Sequence, residues 1–146
     1  LSVEDVQQAN FEVVFGGYDP AAVDSALDRL EDAIILKRRN EHIASEGEKA
    51  WYDHLEKRTE VLMGRLQRPA GERFRRPINP KAQGYRAEDV DSFLNRLRAF
   101  LTEDQALRVS EIREATFSSA VGDAAYDELQ VDRFLNRFVE LTASIQ

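Results

Sequence analysis

Apolar positions along this chain recur three and four residues apart, the spacing of helices with one buried face. A short amphipathic lead-in occupies residues 3–9, and residues 10–19 read as a loop. From Pro20 towards Leu66 a long stretch follows, whose stripe of Val23, Leu27, Leu30 and Ile34 is coiled-coil-like over two heptads. That stripe fails at Lys37 and Glu41 and resumes at Trp51, Leu55, Leu62 and Leu66, with Gly47 in the weak part. An unbroken helix of this length would run about 70 Å, so two helical pieces broken near 45–48 are expected. Residues 67–86 hold Pro69, Gly71, Pro77, Pro80 and Gly84 and read as an irregular linker. Helices are then expected over 87–101, 103–115 and 128–145, with a loop of small residues at 116–126. The faces formed by Val90, Phe93, Leu94 and Leu97, and by Val131, Phe134, Leu135 and Phe138, are wider than a coiled-coil seam and suit a small bundle.

The same stretches contain one motif three times. Gly17-Tyr18-Asp19-Pro20-Ala21-Ala22-Val23-Asp24 is followed by Leu27 and Leu30. Gly84-Tyr85-Arg86-Ala87-Glu88-Asp89-Val90-Asp91 is followed by Leu94 and Leu97, and Ala125-Tyr126-Asp127-Glu128-Leu129-Gln130-Val131-Asp132 by Leu135 and Phe138. Tyr precedes Val by five residues in every copy, Asp follows Val, and an Arg recurs at Arg29, Arg96 and Arg137. Upstream, Val6 precedes Phe11 as Ile112 precedes Phe117. The tyrosines are 67 and 41 residues apart, too unequal for a regular solenoid.

The motif has the physics of a helix start. Gly17 and Gly84 allow a sharp bend. Asp19 reads as an N-cap before Pro20, and Asp127 with Gln130 resembles a capping box, whereas Arg86 cannot cap. Asp24, Asp91 and Asp132 lie in early turns, where the helix dipole favours negative charge. Each tyrosine is expected to wedge the loop against its helix with the hydroxyl at the surface.

The expected fold class is therefore all-α, a helical bundle or short coiled coil built from three loop-to-helix repeats. Residues 1–68 would carry the first copy and the long helical stretch, 69–86 the Pro/Arg-rich linker, and 87–146 the second and third copies packed as one compact subunit.

Charge and composition narrow the function. With 20 Lys and Arg against 27 Asp and Glu the net charge is -7, which argues against broad binding to nucleic acid. Cysteine is absent, excluding disulfides and thiol chemistry and suiting a reducing cytoplasm. His42 and His54 have no third ligand at a metal-site spacing. No nucleophile elbow, phosphate loop or metalloprotease pattern occurs, so no catalytic residue, metal, cofactor or small-molecule substrate is expected. Two features have competing readings. Phe15, beside Gly16 and Gly17, either staples the loop to its own core or inserts into a bilayer or a partner groove. The basic cluster of Arg65, Arg68, Arg73, Arg75 and Arg76 around Phe74 is either a solvated linker pairing with acidic helix faces or a contact for lipid headgroups, nucleic acid or a partner.

The pattern Phe15-Gly16-Gly17-Tyr18-Asp19, then Val23-Asp24 and Leu27, resembles the amino-terminal domain of the DivIVA family, and the whole is similar to actinobacterial proteins that repeat this domain. The resemblance covers about 70–75 residues in and around the three copies. It implies a non-catalytic scaffold of bacterial cell division or polar growth, a coiled-coil dimer, and protein partners recruited at the inner face of the membrane at poles or septa. The rival reading is a monomeric helical adaptor whose motifs satisfy one another within one chain, with the tyrosines buried against each other's helices. Phe15 matches the family's membrane-inserting position. Gly16 stands where an Arg is frequent, and Ala82-Gln83 and Asp123-Ala124 replace that aromatic tip in the other two copies.

Overall fold

A computed structural model describes residues 2–7 and 20–145, apart from the side chains at 20, 21 and 24. Phe15, Gly17, Tyr18 and Asp19 of the first copy therefore lie outside the described residues, as does the side chain of Asp24. The described chain is mostly helical. It runs α1 (Val3–Gln7), α2 (Pro20–Glu46), α3 (Glu48–Leu66), β1 (Gln83–Arg86), α4 (Ala87–Thr102), α5 (Val109–Arg113), β2 (Ser119–Val121), a 3-10 turn (Gly122–Ala124), β3 (Ala125–Tyr126) and α6 (Glu128–Ile145). No described helix is long and apolar enough to cross a membrane.

The chain divides into two compact units, Leu1–His54 with Ala143–Gln146, and Leu55–Thr142. In the first, Ser2 caps α1: the Asp5 amide donates to Ser2 Oγ at 3.1 Å, and the Ser2 amide donates to Asp5 Oδ2 at 3.0 Å. Backbone and side-chain hydrogen bonds at Ser2 hold the Asp5 carboxyl below its ordinary pKa. α1 folds back antiparallel along α2, with Arg38 beside Glu4 at 3.5 Å and Gln7 beside Glu31 at 3.4 Å. Val3 and Val6 are buried there. α2 ends where the weak stripe predicts. Gly47 adopts φ +92, a left-handed conformation that closes the helix, and its amide donates to the Ile43 carbonyl at 2.9 Å. The coiled-coil stripe is only partly covered, since Leu30 is exposed and Val23, Leu27 and Ile34 are half-buried.

The second unit departs from an all-helical plan. β1, β2 and β3 form a small antiparallel sheet in the order β2-β1-β3. Residues 83–86 of the expected linker and 119–126 of the expected loop supply these strands. Linker residues 69–86 thus fold with the second and third copies instead of separating them from the first. Between 103 and 115 only Val109–Arg113 is helical; α4 stops at Thr102, and Asp104 follows at φ +54. The buried apolar residues of this unit include Leu62, Leu66, Phe74, Val90, Leu94, Leu97, Val131, Phe134 and Phe138. Val90 and Val131, the motif valines of the second and third copies, are fully enclosed.

Candidate functional site, an interlocked pair of motifs

Each strand of the central pair runs directly into a helix, β1 into α4 and β3 into α6. They are antiparallel with Tyr85 opposite Tyr126 and Arg86 opposite Ala125, so the second and third copies meet at equivalent residues. Gly84 is required by this approach. A Cβ at that position would meet the backbone carbonyl oxygen of Tyr126, with Pro77 Cγ at 3.1 Å. The bend expected from a left-handed glycine is not the reason, because among the described residues the positive-φ glycines are Gly47, Gly71 and Gly122.

The two copies then exchange side chains. Tyr126 Oη donates to Asp91 Oδ1 at 2.8 Å, and Tyr85 Oη donates to Asp132 Oδ1 at 2.8 Å. Each tyrosine hydroxyl thus reaches the aspartate of the other copy. Phenylalanines from the preceding segments are exchanged as well. Phe74 lies against Tyr126 and Phe134, with ring centroids 5.3 and 5.7 Å apart, while Phe117 lies against Tyr85 and Phe93 at 5.2 and 5.9 Å. The backbone repeats the relation: the Asp127 amide donates to the Arg75 carbonyl at 2.9 Å and the Arg86 amide to the Ser118 carbonyl at 2.8 Å. Within this unit the second and third copies are related as if by a local two-fold axis.

The two halves differ in burial. Asp91 is 8% exposed and also accepts the Gly71 amide at 2.9 Å, whereas Asp132 is exposed. Arg73, 3% exposed, threads this half. Its guanidinium donates to the Asp91 carbonyl at 3.0 Å, Asn95 Oδ1 at 2.7 Å and the Leu66 carbonyl at 3.2 Å, and lies 3.5 Å from Asp91 Oδ1. The Arg73 amide donates to Tyr126 Oη at 3.3 Å. Burial, followed by the bond to Asp91, raises the Tyr126 phenol pKa, and burial followed by Asp132 raises that of Tyr85 strongly. The Ser118 amide donates to Asp89 Oδ2 at 3.0 Å and thereby lowers the Asp89 carboxyl.

These placements correct three expectations. Tyr85 and Tyr126 do wedge strand against helix, but the Tyr126 hydroxyl is buried and paired across the copies. Asp91 and Asp132, each the fifth residue of its helix, are acceptors for tyrosines in addition to lying in early turns. Arg73 and Phe74 are not surface contacts, since both are buried, with Phe74 at 4% exposure. Of that cluster, Arg75 is exposed and pairs with Asp127 at 3.5 Å, and half-buried Arg76 lies over the Tyr126 ring at 5.4 Å. The capping readings hold in part. Arg86 makes no side-chain cap, and the Gln130 amide donates to Asp127 Oδ2 at 3.4 Å. The reciprocal half of the box is replaced, because the Asp127 amide is used by Arg75.

A groove of about 350 Å³ borders the exposed half, lined by Asp89, Phe93, Arg96, Glu111 and Phe117 among others. Across its wall Arg96 Nη2 lies 3.1 Å from Glu111 Oε2. Among the described residues no three His, Cys, Asp or Glu side chains are grouped to hold a metal. Comparison with protein-family models, curated proteins and solved structures gives no match. What the geometry provides is a pairing device, in which two copies of one motif lock two helices together.

Proposed function

We propose that this chain is a non-catalytic scaffold or adaptor of bacterial cell division or polar growth, acting through pairing of its repeated motif. The reciprocal Tyr–Asp exchange between the second and third copies carries the reading, since it makes the motif complementary to itself. A self-complementary patch is what a two-fold association needs. The second and third copies use each other. The first copy has the same six-residue interval, from Tyr18 to Asp24, and is the odd one of three. Its proposed partner is the first copy of a second chain, with the half-covered stripe of Val23, Leu27, Leu30 and Ile34 as the accompanying helix seam. Division septa or growing poles as the cellular setting rest on the resemblance of the motif.

Light scattering at several concentrations tests the pairing. The expected mass is twice the 16.7 kDa of the chain, falling to that of one chain in Tyr18→Ala and Asp24→Ala but not in Asp132→Asn. A wild-type mass equal to one chain at every concentration would favour a monomeric adaptor, for which internal pairing of two copies is already a sufficient structure. A fluorescent fusion concentrated at poles or septa is the expected pattern in the native cell; a uniform signal removes that setting.

A further inference from the structure

The local two-fold relation sets two arginines in equivalent places with opposite surroundings. Arg96 and Arg137 each follow their motif tyrosine by eleven residues and their helix phenylalanine, Phe93 or Phe134, by three. Beside Phe93 sits Phe117, and the residue six before it, Glu111, supplies the carboxylate that pairs with Arg96 at 3.1 Å. Beside Phe134 sits Phe74, and the residue six before it is Arg68. Counted back from the two phenylalanines, an acidic residue inside α5 in one half stands against a basic residue just past the end of α3 in the other.

The second half gathers cations around its aromatic floor. Arg65 lies over the Phe74 ring at 4.8 Å, and both Arg65 and Arg68 donate to the Arg73 carbonyl, at 3.0 and 3.2 Å. Arg137 stands one turn beyond Phe134 on α6. Burial is the main cause lowering the Arg65 pKa, and the charges of Arg68 and Arg137 lower it further. Among the described residues none of Arg65, Arg68 and Arg137 has a carboxylate within ion-pair distance, although the chain carries 27 acidic residues. Like charges held together without a counter-ion raise the free energy, and a bound anion relieves it.

We propose that Arg65, Arg68 and Arg137 form a docking site for a carboxylate of a protein partner, an acidic segment whose Asp or Glu takes the place that Glu111 fills in the twin half. The equivalent pair identifies the ligand chemistry, because Arg96, one turn beyond Phe93 as Arg137 is beyond Phe134, already pairs with the Glu111 carboxylate. Guanidinium groups suit this task through planar, forked donation. The inference stands whether or not the first copy joins two chains.

The test is fluorescence anisotropy with a labelled oligoglutamate peptide at physiological ionic strength. Saturable binding is expected to weaken about tenfold in Arg137→Gln, whose side chain is exposed. Arg68→Glu, which reverses one charge of the cluster, is expected to abolish binding and leave the thermal midpoint unchanged or higher. Should Arg68→Glu not fold, Arg137→Gln decides alone. A peptide that does not bind saturably, or that binds the variants as it binds the wild type, overturns the site. An oligonucleotide or inorganic phosphate that binds more tightly than the peptide overturns the assignment to a carboxylate.

Discussion

Tyr85 and Tyr126 face each other on antiparallel strands, and each donates its hydroxyl to the aspartate that lies six residues beyond the other. Neither bond exists within a copy. The relation makes each copy incomplete alone, and several consequences can be measured.

The two bonds are chemically alike but differ in solvent access, so their removal is expected to differ in cost. Tyr126→Phe leaves Asp91 buried without its hydroxyl donor and the Arg73 amide without its acceptor, a loss of about 1–3 kcal/mol. Tyr85→Phe frees an exposed Asp132 that water can satisfy, at about 0.5–1 kcal/mol. Urea unfolding of both variants checks the order; equal losses would contradict it.

Gly84 and Gly64 are expected to respond to alanine in opposite directions. At Gly84 the new Cβ meets the Tyr126 carbonyl, a backbone atom, and forces the strands apart at about 1–3 kcal/mol. Gly64 lies in the interior of α3 with nothing within 4 Å of a built Cβ. Gly64→Ala is expected to stabilise by about 0.5–1 kcal/mol through helix propensity. Thermal melts of the pair read both signs.

Arg73→Met tests the buried half. The substitution roughly keeps the length but takes the guanidinium donor from the Asp91 and Leu66 carbonyls and from Asn95 Oδ1, and leaves the buried Asp91 carboxylate without its cation. Breaking one side of a buried charge pair costs about 3–5 kcal/mol. Loss of cooperative unfolding in the second unit is the expected sign; a variant as stable as the wild type would show that Arg73 is not structural.

Alkaline pH is expected to loosen the interlock. Both phenols have pKa values raised in the folded chain, so the folded state resists losing their protons more than the unfolded state does. The stability they contribute is complete below about pH 10, the ordinary tyrosine value, and declines as pH rises towards the folded values. The thermal midpoint should fall above about pH 10, and less steeply in Tyr85→Phe, which removes the stronger of the two raised phenols.

Much of the helical plan was legible along the chain. The three-and-four spacing located α4 and α6 to within a residue, and Gly47 with the polar run before it located the break between α2 and α3. These features are local: an apolar stripe, a left-handed glycine and a cap each act within a turn or two. The repeat was legible too, because it is written in residue identity. A fixed six-residue interval between Tyr and Asp, together with Phe117 ahead of the third copy, was the available signal for the site. It does not reveal a bond, because the two residues do not meet within a copy.

Sequence by itself determined where α2, α4 and α6 start, where α2 breaks from α3, and the likeness in residue identity between the second and third copies. Tertiary structure alone decided that the second and third copies close on each other. It also decided that strands of two to four residues form between them, and that Arg73 and Phe74 leave the surface. Such short strands have no periodicity to detect, and their hydrogen bonds join residues about 35–40 positions apart. An arginine becomes a core residue only when distant carbonyls and carboxylates converge on it, and that convergence exists only in three dimensions.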